Sequence, residues 1–375
     1  MNCSAWPPDP RIIIRGWAAG LFLLLITTCS TVPPALGGPS GLKPEPGRHQ
    51  DSGLILRSKS DIHPVIVPDI PAIVPYWQPA GGDYAAFAGR IKKPRLEFWA
   101  VRISLNYAAP DPGEPDRGEA SVETRQPAGQ RILIGAGTGE GIPRFGHVAS
   151  TRVSSFVRNN GLVVGINTVP FTPSSAREAE ERKVAGLGVS EGRLIAPPVP
   201  RFDALVFYRD GRAAIVGQWE LSVTDSGDKP GETLPPEILH ATGGFHCILR
   251  DGELTGRARQ KSPRYARSAA GVSADGRILY LIAINGGRLM NRGATEAETA
   301  LILKQLGAGD ALNLDGGGSS ALVLRFPIGA ADGAVDSVAD GAVDEVAVLN
   351  TPVHSGFPGR ERAVALCLGI GPDSP

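Results

Sequence analysis

Apolar positions in this chain recur mainly in short runs with a two-residue period, and many of those runs are separated by Asp-Gly pairs. Residues 96–107 alternate as a strand does, with Leu96, Phe98 and Ala100 on one phase. Three pairs of apolar runs then flank an Asp-Gly dipeptide: 204–208 and 213–216 around Asp210-Gly211, 247–249 and 253–254 around Asp251-Gly252, and 269–272 and 278–284 around Asp275-Gly276. Asp-Gly accommodates the left-handed backbone that a two-residue hairpin needs, so each pair predicts a hairpin. Helical spacing occurs in fewer places. Ser150 is placed to cap a short helix that carries Val153, Phe156 and Val157 on one face and ends at Gly161. Residues 295–306 predict a longer helix, with a Thr295/Glu298 capping box, a stripe of Leu301, Ile302 and Leu306, and Gly307 as the stop. A buried strand over 162–166 runs into Asn167, and strands over 311–314 and 321–324 flank a run of glycines. The pattern predicts an α+β domain of antiparallel sheets with hairpins and a few packed helices, and excludes a doubly wound parallel sheet.

Composition sharpens this picture. The 48 Gly and 33 Pro of 375 residues favour turns and short strands over long helices. Lys plus Arg and Asp plus Glu are equal at 38 each, which argues against a nucleic-acid partner, because such a partner leaves a basic footprint.

The first 37 residues read as an export leader. Arg11 and Arg15 precede a mostly apolar stretch over 16–28, the length of a signal-peptide core and shorter than a membrane span. Two endings compete. Ala35-Leu36-Gly37 fits a small-x-small cleavage site. Ile26-Thr27-Thr28-Cys29 resembles a bacterial lipoprotein box, apart from Thr28 where a smaller residue is usual, and a lipidated Cys29 would attach the protein to a membrane. Either route exports the protein, to the bacterial cell envelope or beyond it. Residues 38–94 are rich in Pro and Gly and read as a tether and extended segment, and 95–375 as the folded domain. Cys247 and Cys367 are the only cysteines beyond the leader, and they suit either a disulfide or two buried thiols. Ala-Asp-Gly-Ala-Val-Asp occurs twice within 331–347, a duplicated surface insertion without the ligand spacing of a calcium loop.

The sharpest motif is Asn313-Leu314-Asp315-Gly316-Gly317-Gly318-Ser319-Ser320. Three consecutive glycines carry a high entropic cost, more than a plain turn requires. They would let backbone N–H groups converge on an anion, framed by Asp315 and Ser319. Other glycine-rich or histidine-containing segments carry less. Residues 135–141 resemble a dinucleotide loop, but Pro143 follows and no helix opens. His240, His246 and Cys247 lack zinc-site spacing. No cofactor is predicted, and the need for a divalent cation stays open.

The octapeptide, following a helix that ends Leu-Gly-Ala-Gly-Asp-Ala, resembles the signature of the phosphodiester glycosidase family. Further segments agree in order. They are Val-Gly-Ile-Asn-Thr-Val-Pro-Phe over 164–171, the Gly-Gly segment within 241–252, Arg-Tyr-Ala-Arg-Ser-Ala-Ala-Gly over 264–271, the turn at 284–288, and the closing segments at 350–352 and 361–365. The similarity covers 146–375. Asn285 stands where the family usually has Asp, Thr168 replaces a common Gly and would reshape the substrate entrance, and an extra Gly precedes Arg288.

The resemblance implies hydrolysis of a sugar from a sugar-1-phosphodiester in envelope or extracellular glycans. Arg267 and Arg288 would clamp phosphate oxygens, with N–H donors from Gly316, Gly317 and Gly318. Asp315 would act as base or nucleophile, and Glu298 is the second carboxylate candidate, its alternative role being the capping box. Asn167 and Asn313 would bind sugar hydroxyls or else satisfy strand-end backbone. The alternative function is a non-catalytic envelope module that binds phosphate-linked glycans.

Overall fold

The computed structural model describes residues 75–77, 83–92, 95–106, 129–137, 144–221, 224–225, 232–233, 235–287, 291–327 and 344–372. All lie within one compact unit, Arg57–Pro375. The leader, the tether as far as residue 74, Arg288 and residues 331–343 of the repeat insertion lie outside the described residues.

The architecture is mainly β, which corrects the α+β expectation. Among the described residues strand accounts for 49% and helix for 9%, with two α-helices. The physical reason lies in the connections. Consecutive strands are joined by tight turns, and only two segments carry an apolar stripe long enough to need a helix. All three Asp-Gly pairs form the expected antiparallel hairpins: Asp203–Tyr208 with Ala213–Gly217, Cys247–Arg250 with Glu253–Leu254, and Arg267–Val272 with Ile278–Ile284.

Three antiparallel sheets supply most of the core. The largest has eight strands, in the order Pro75–Trp77, Tyr84–Ile91, Leu96–Ser104, Ile278–Ile284, Arg267–Val272, Asp310–Asn313, Cys247–Arg250 and Glu253–Leu254. Tyr84–Ile91, expected in the extended segment, is thus an inner strand paired along its length with Leu96–Ser104. One five-stranded sheet is centred on Val164–Asn167 between Leu322–Pro327 and Cys367–Pro372. The other includes Gly188–Ser190, Asp203–Tyr208 and Ile238–Gly243.

One hydrophobic cluster draws on all three sheets, with Val101, Leu281 and Leu312 from the first, Ile166 and Leu368 from the second and Leu205 and Phe207 from the third. Alternate residues serve opposite faces. Leu279, Leu281 and Ala283 face this cluster, while Tyr280, Ile282 and Ile284 join Ile302 and Leu303 of the longer helix. Strands buried on both faces therefore read as near-continuous apolar runs.

Helix α1 (Val153–Asn159) packs Val153, Phe156 and Val157 over the first five-stranded sheet. Its N-cap is Arg152, whose side chain makes no capping bond, and Ser150 instead donates its hydroxyl to the Arg177 carbonyl at 3.1 Å. The end is capped from a distance. Glu361 accepts from the Ser154 N–H at 3.0 Å and from its hydroxyl at 2.6 Å. Burial pushes the Glu361 carboxyl up, and these hydrogen bonds offset only part of that rise. Truncation by Glu361→Ala leaves two donors at a buried helix end unmatched and is expected to lower stability by about 2 kcal/mol in denaturant titration. Glu361→Gln retains an acceptor and is expected to lose less. Equal losses for the two variants would show that the negative charge, rather than packing or a neutral acceptor, makes the cap.

Cys247 and Cys367 are both free and buried. They do not pair, and burial pushes the Cys247 thiol up to about 11.

Candidate active site

The glycine run is not a hairpin turn. Asp310–Asn313 belongs to the eight-stranded sheet and Leu322–Pro327 to a five-stranded sheet, so residues 314–321 carry the chain from one sheet to another. Gly317–Ser319 form one 3₁₀ turn at the crossing. The glycines have separate reasons. A Cβ on Gly316 would lie 2.8 Å from the Ala266 carbonyl oxygen, and one on Gly318 would lie 2.4 Å from the Arg362 guanidinium. Gly317 has φ +60° and open space around it.

Asn167 fastens this crossing. Its Nδ2 donates to the Asp315 carbonyl at 2.6 Å, and its Oδ1 accepts from the Ser268 hydroxyl at 2.7 Å and the Ala321 N–H at 3.1 Å. Fully buried and committed to three partners, it positions the loop and has no free acceptor for a sugar hydroxyl. Thr168 is likewise buried, with its hydroxyl on the Leu366 carbonyl, and so does not shape an entrance.

A cavity of about 400 Å³ opens beside the crossing. Asn313, Asp315, Gly316 and Gly317 line it together with Arg267, Glu296, Arg257, Tyr265, Phe245 and His246. Burial pushes the Asp315 carboxyl up to about 6, against the pull of the Ser319 hydrogen bond, the Arg362 charge and the Gly316 N–H. Ser319 also accepts from Arg362 Nη1 at 3.1 Å, and Arg362 Nε donates to His354 Nδ1 at 3.1 Å. A connected chain Asp315–Ser319–Arg362–His354 therefore backs the carboxylate.

Two expected amide donors are already used. The Gly317 N–H donates to the Ala266 carbonyl at 2.8 Å, and the Gly316 N–H turns to Asp315. Asn313 Oδ1, on a buried residue of the cavity wall, has no hydrogen-bond partner among the described residues.

Glu298 stays away from the cavity. It completes the capping box of helix α2 (Glu296–Leu306) by accepting from the Thr295 N–H at 2.9 Å, and its other oxygen is held by Arg264. The capping role wins, and the second carboxylate of the cavity is Glu296, two positions earlier. Arg267 lines the cavity but is heavily engaged. Nε donates to the Ala294 carbonyl at 3.0 Å, Nη2 to the Pro263 carbonyl at 2.8 Å, and Nη1 lies 3.7 Å from Glu296. Asn285 is buried and structural as well. Its Oδ1 accepts from the Thr351 N–H at 2.7 Å and its Nδ2 faces Glu97 at 3.4 Å.

The site residues that the sequence pattern does not reveal are Arg362, His354, Glu296 and Arg257. Arg362 alone leaves a local trace, as one half of the charged pair Glu361-Arg362 ahead of an apolar run. Among the described residues, no group of three or more His, Cys, Asp or Glu is placed to hold a metal ion.

The fold is mainly antiparallel, and its site sets one desolvated carboxylate on a cavity wall. The model of the phosphodiester glycosidase family matches residues 160–371, more than half of the chain, and the chain belongs to that family. No curated protein sequence matches it significantly. Among solved structures it is similar to a hypothetical protein from Synechocystis, with 17% identity, a TM-score of 0.48 and coverage of 80% of this chain and 64% of that one. It is also similar to the catalytic domain of zebrafish N-acetylglucosamine-1-phosphodiester alpha-N-acetylglucosaminidase, auto-inhibited by its pro-peptide, with 17% identity, a TM-score of 0.46 and coverage of 80% and 87%. A Burkholderia pseudomallei K96243 protein described as exported shares 16% identity at a TM-score of 0.46, with 74% of each chain covered.

Proposed function

We propose that this chain is an exported hydrolase that cleaves a sugar from a sugar-1-phosphodiester, with Asp315 as the catalytic carboxylate. The observation that carries the reading is the placement of Asp315. It stands on the cavity wall at a sheet-to-sheet crossing, with its carboxyl pushed up to about 6 and tied through Ser319 to Arg362. A group that titrates there is largely ionised at neutral pH yet poorly solvated, which suits a base or a nucleophile.

The bond to break joins the anomeric carbon to a phosphate oxygen. Departure yields a phosphate monoester, whose second pKa of about 6 makes it a good leaving group without strong acid assistance. Asp315 then either takes a proton from the attacking water or adds to the anomeric carbon itself. Asn313, with its unmatched buried Oδ1, is the better candidate to accept from a sugar hydroxyl, since Asn167 is used up. The apolar stretch over 16–28 supports export.

The test is incubation of the protein with a panel of sugar-1-phosphodiesters, with free sugar and new phosphate monoester detected by mass spectrometry. Release of both products from one member is the expected result. Glycan binding without release from any member would replace the hydrolase with a binding module.

A further inference from the structure

We infer that Arg257, at the cavity, is the residue that holds the substrate's phosphate. The inference rests on the phosphodiester reading above and assigns the anion site within it. Of the arginines near the site, Arg267 has three of its nitrogens facing protein oxygens, and Arg362 is turned to Ser319 and His354. Arg257 lines the cavity, is exposed, and among the described residues its guanidinium has no hydrogen bond or ion pair. A free guanidinium presents a planar fork of N–H donors matched to phosphate oxygens.

The charges point the same way. Arg267 is matched by Glu296 and Arg362 by Asp315. Among the described residues of the cavity wall, Arg257 is the positive charge without an ion-pair partner, the complement of the single negative charge of a phosphodiester, while Arg201, near enough to act on His246, lies over the Phe202 ring outside that wall. His246 adds none, since burial and the neighbouring Arg257 charge both favour its neutral form.

The position is also firmly built. The Thr255 hydroxyl donates to the Cys247 carbonyl at 2.9 Å and accepts from the Ala258 N–H at 3.2 Å, while the Arg259 N–H closes a turn on the Thr255 carbonyl at 3.1 Å. Ala258 is buried beneath. The backbone that carries Arg257 is thereby fixed to the eight-stranded sheet before any ligand arrives.

The experiment compares wild type, Arg257→Gln, Arg257→Lys and Arg259→Gln. Arg259 pairs with Glu253 and lies outside the cavity wall, so its variant controls for general surface charge. Inorganic phosphate binding is followed by ³¹P NMR titration, and kcat and KM are measured on the phosphodiester that the panel identifies. Loss of one charged hydrogen-bonding partner is expected to weaken phosphate binding and raise KM about tenfold in Arg257→Gln. Because the phosphate gains negative charge as it departs, kcat should fall as well, Arg259→Gln should change little, and Arg257→Lys should recover part of the loss. Unchanged phosphate binding in Arg257→Gln, an equal fall in Arg259→Gln, or no phosphate binding by the wild type would each overturn the assignment. The two readings fail separately. Phosphate binding that depends on Arg257 without sugar release from any phosphodiester would remove the hydrolase and keep the anion site. Turnover with KM and phosphate binding indifferent to Arg257→Gln would remove the anion site and keep the hydrolase.

Discussion

Asp315→Asn is expected to lower kcat by about a thousandfold while leaving the folded protein intact. The magnitude follows from the role, because a positioned base contributes roughly 10²–10⁴ and a lost nucleophile at least as much. Retention of the fold follows from the contacts. The Asp315 backbone N–H and carbonyl, bonded to Thr168 and Asn167, are untouched, and an amide oxygen can still accept from Ser319 and from the Gly316 N–H. The pH profile supplies an independent check. The carboxyl titrates near 6 because burial disfavours its charged form. Base and nucleophile both require the ionised form, so wild-type kcat should fall about tenfold per pH unit below that value and level off above it. A rate that instead declines as pH rises through 6 would make Asp315 an acid. Linkage fixes the accompanying trend in stability. The folded chain binds this proton more tightly than the unfolded chain, so the stabilisation is complete below the unfolded value of about 3.9 and is lost as pH climbs through about 6. Circular dichroism and thermal unfolding of the variant separate loss of chemistry from loss of fold.

Legibility in the sequence follows the range of the interaction. The three Asp-Gly hairpins and the Thr295/Glu298 capping box depend on residues two to four apart, and the structure contains all of them. The cap of α1 is supplied by Glu361 across a separation of 207 residues, so the local candidate, Ser150, is not the cap. The fold class differs from expectation for a related reason. The two helices read from the sequence are the two that form among the described residues, but long-range pairing turns segments such as Tyr84–Ile91, read as tether, into strands and tips the balance to β. At the site, the glycine run identifies the crossing and Asp315, because three adjacent glycines demand an explanation within the chain itself. What surrounds the carboxylate does not follow from it. Arg362 comes from the segment before the last strand, Glu296 from the first turn of α2 and Arg257 from the turn after Glu253–Leu254, and only the packing of the fold brings Glu296 and Arg257 to the cavity wall and Arg362 behind Asp315. The same assembly removes two candidates. Glu298 and Asn167 have the right chemistry, but the groups around them consume every oxygen they offer.

Gly293→Ala is expected to cost about 3 kcal/mol of stability and to reduce activity beyond what the loss of folded protein explains. The residue has φ +93°, in the left-handed region that a side chain disfavours, and its Cβ would fall 2.0 Å from the Tyr265 carbonyl oxygen and 2.8 Å from the Ala266 nitrogen. Both neighbours are backbone, and both are held. The Tyr265 N–H and carbonyl exchange hydrogen bonds with Ala294 at 3.2 and 2.9 Å. The Gly293 and Ala294 carbonyls accept from Arg264 at 2.9 Å and Arg267 at 3.0 Å. The same segment is approached from two further sides, since a Cβ on Gly286 would lie 2.3 Å from the Ala266 nitrogen and one on Gly316 would lie 2.8 Å from the Ala266 oxygen. A methyl at 293 therefore cannot be absorbed by a side-chain rotation and must displace the Tyr265–Arg267 wall of the cavity, adding overpacking to the dihedral cost. Gly252→Ala separates the two effects. That residue has φ +74° with nothing within 4 Å of an added Cβ, so it carries the dihedral cost alone, about 1 kcal/mol. Chemical denaturation of both variants, with kcat and KM measured on the folded fraction, reads the difference. Equal destabilisation by the two substitutions would mean that the wall yields, and that three close glycine approaches do not fix the position of Tyr265 and Arg267 in the site.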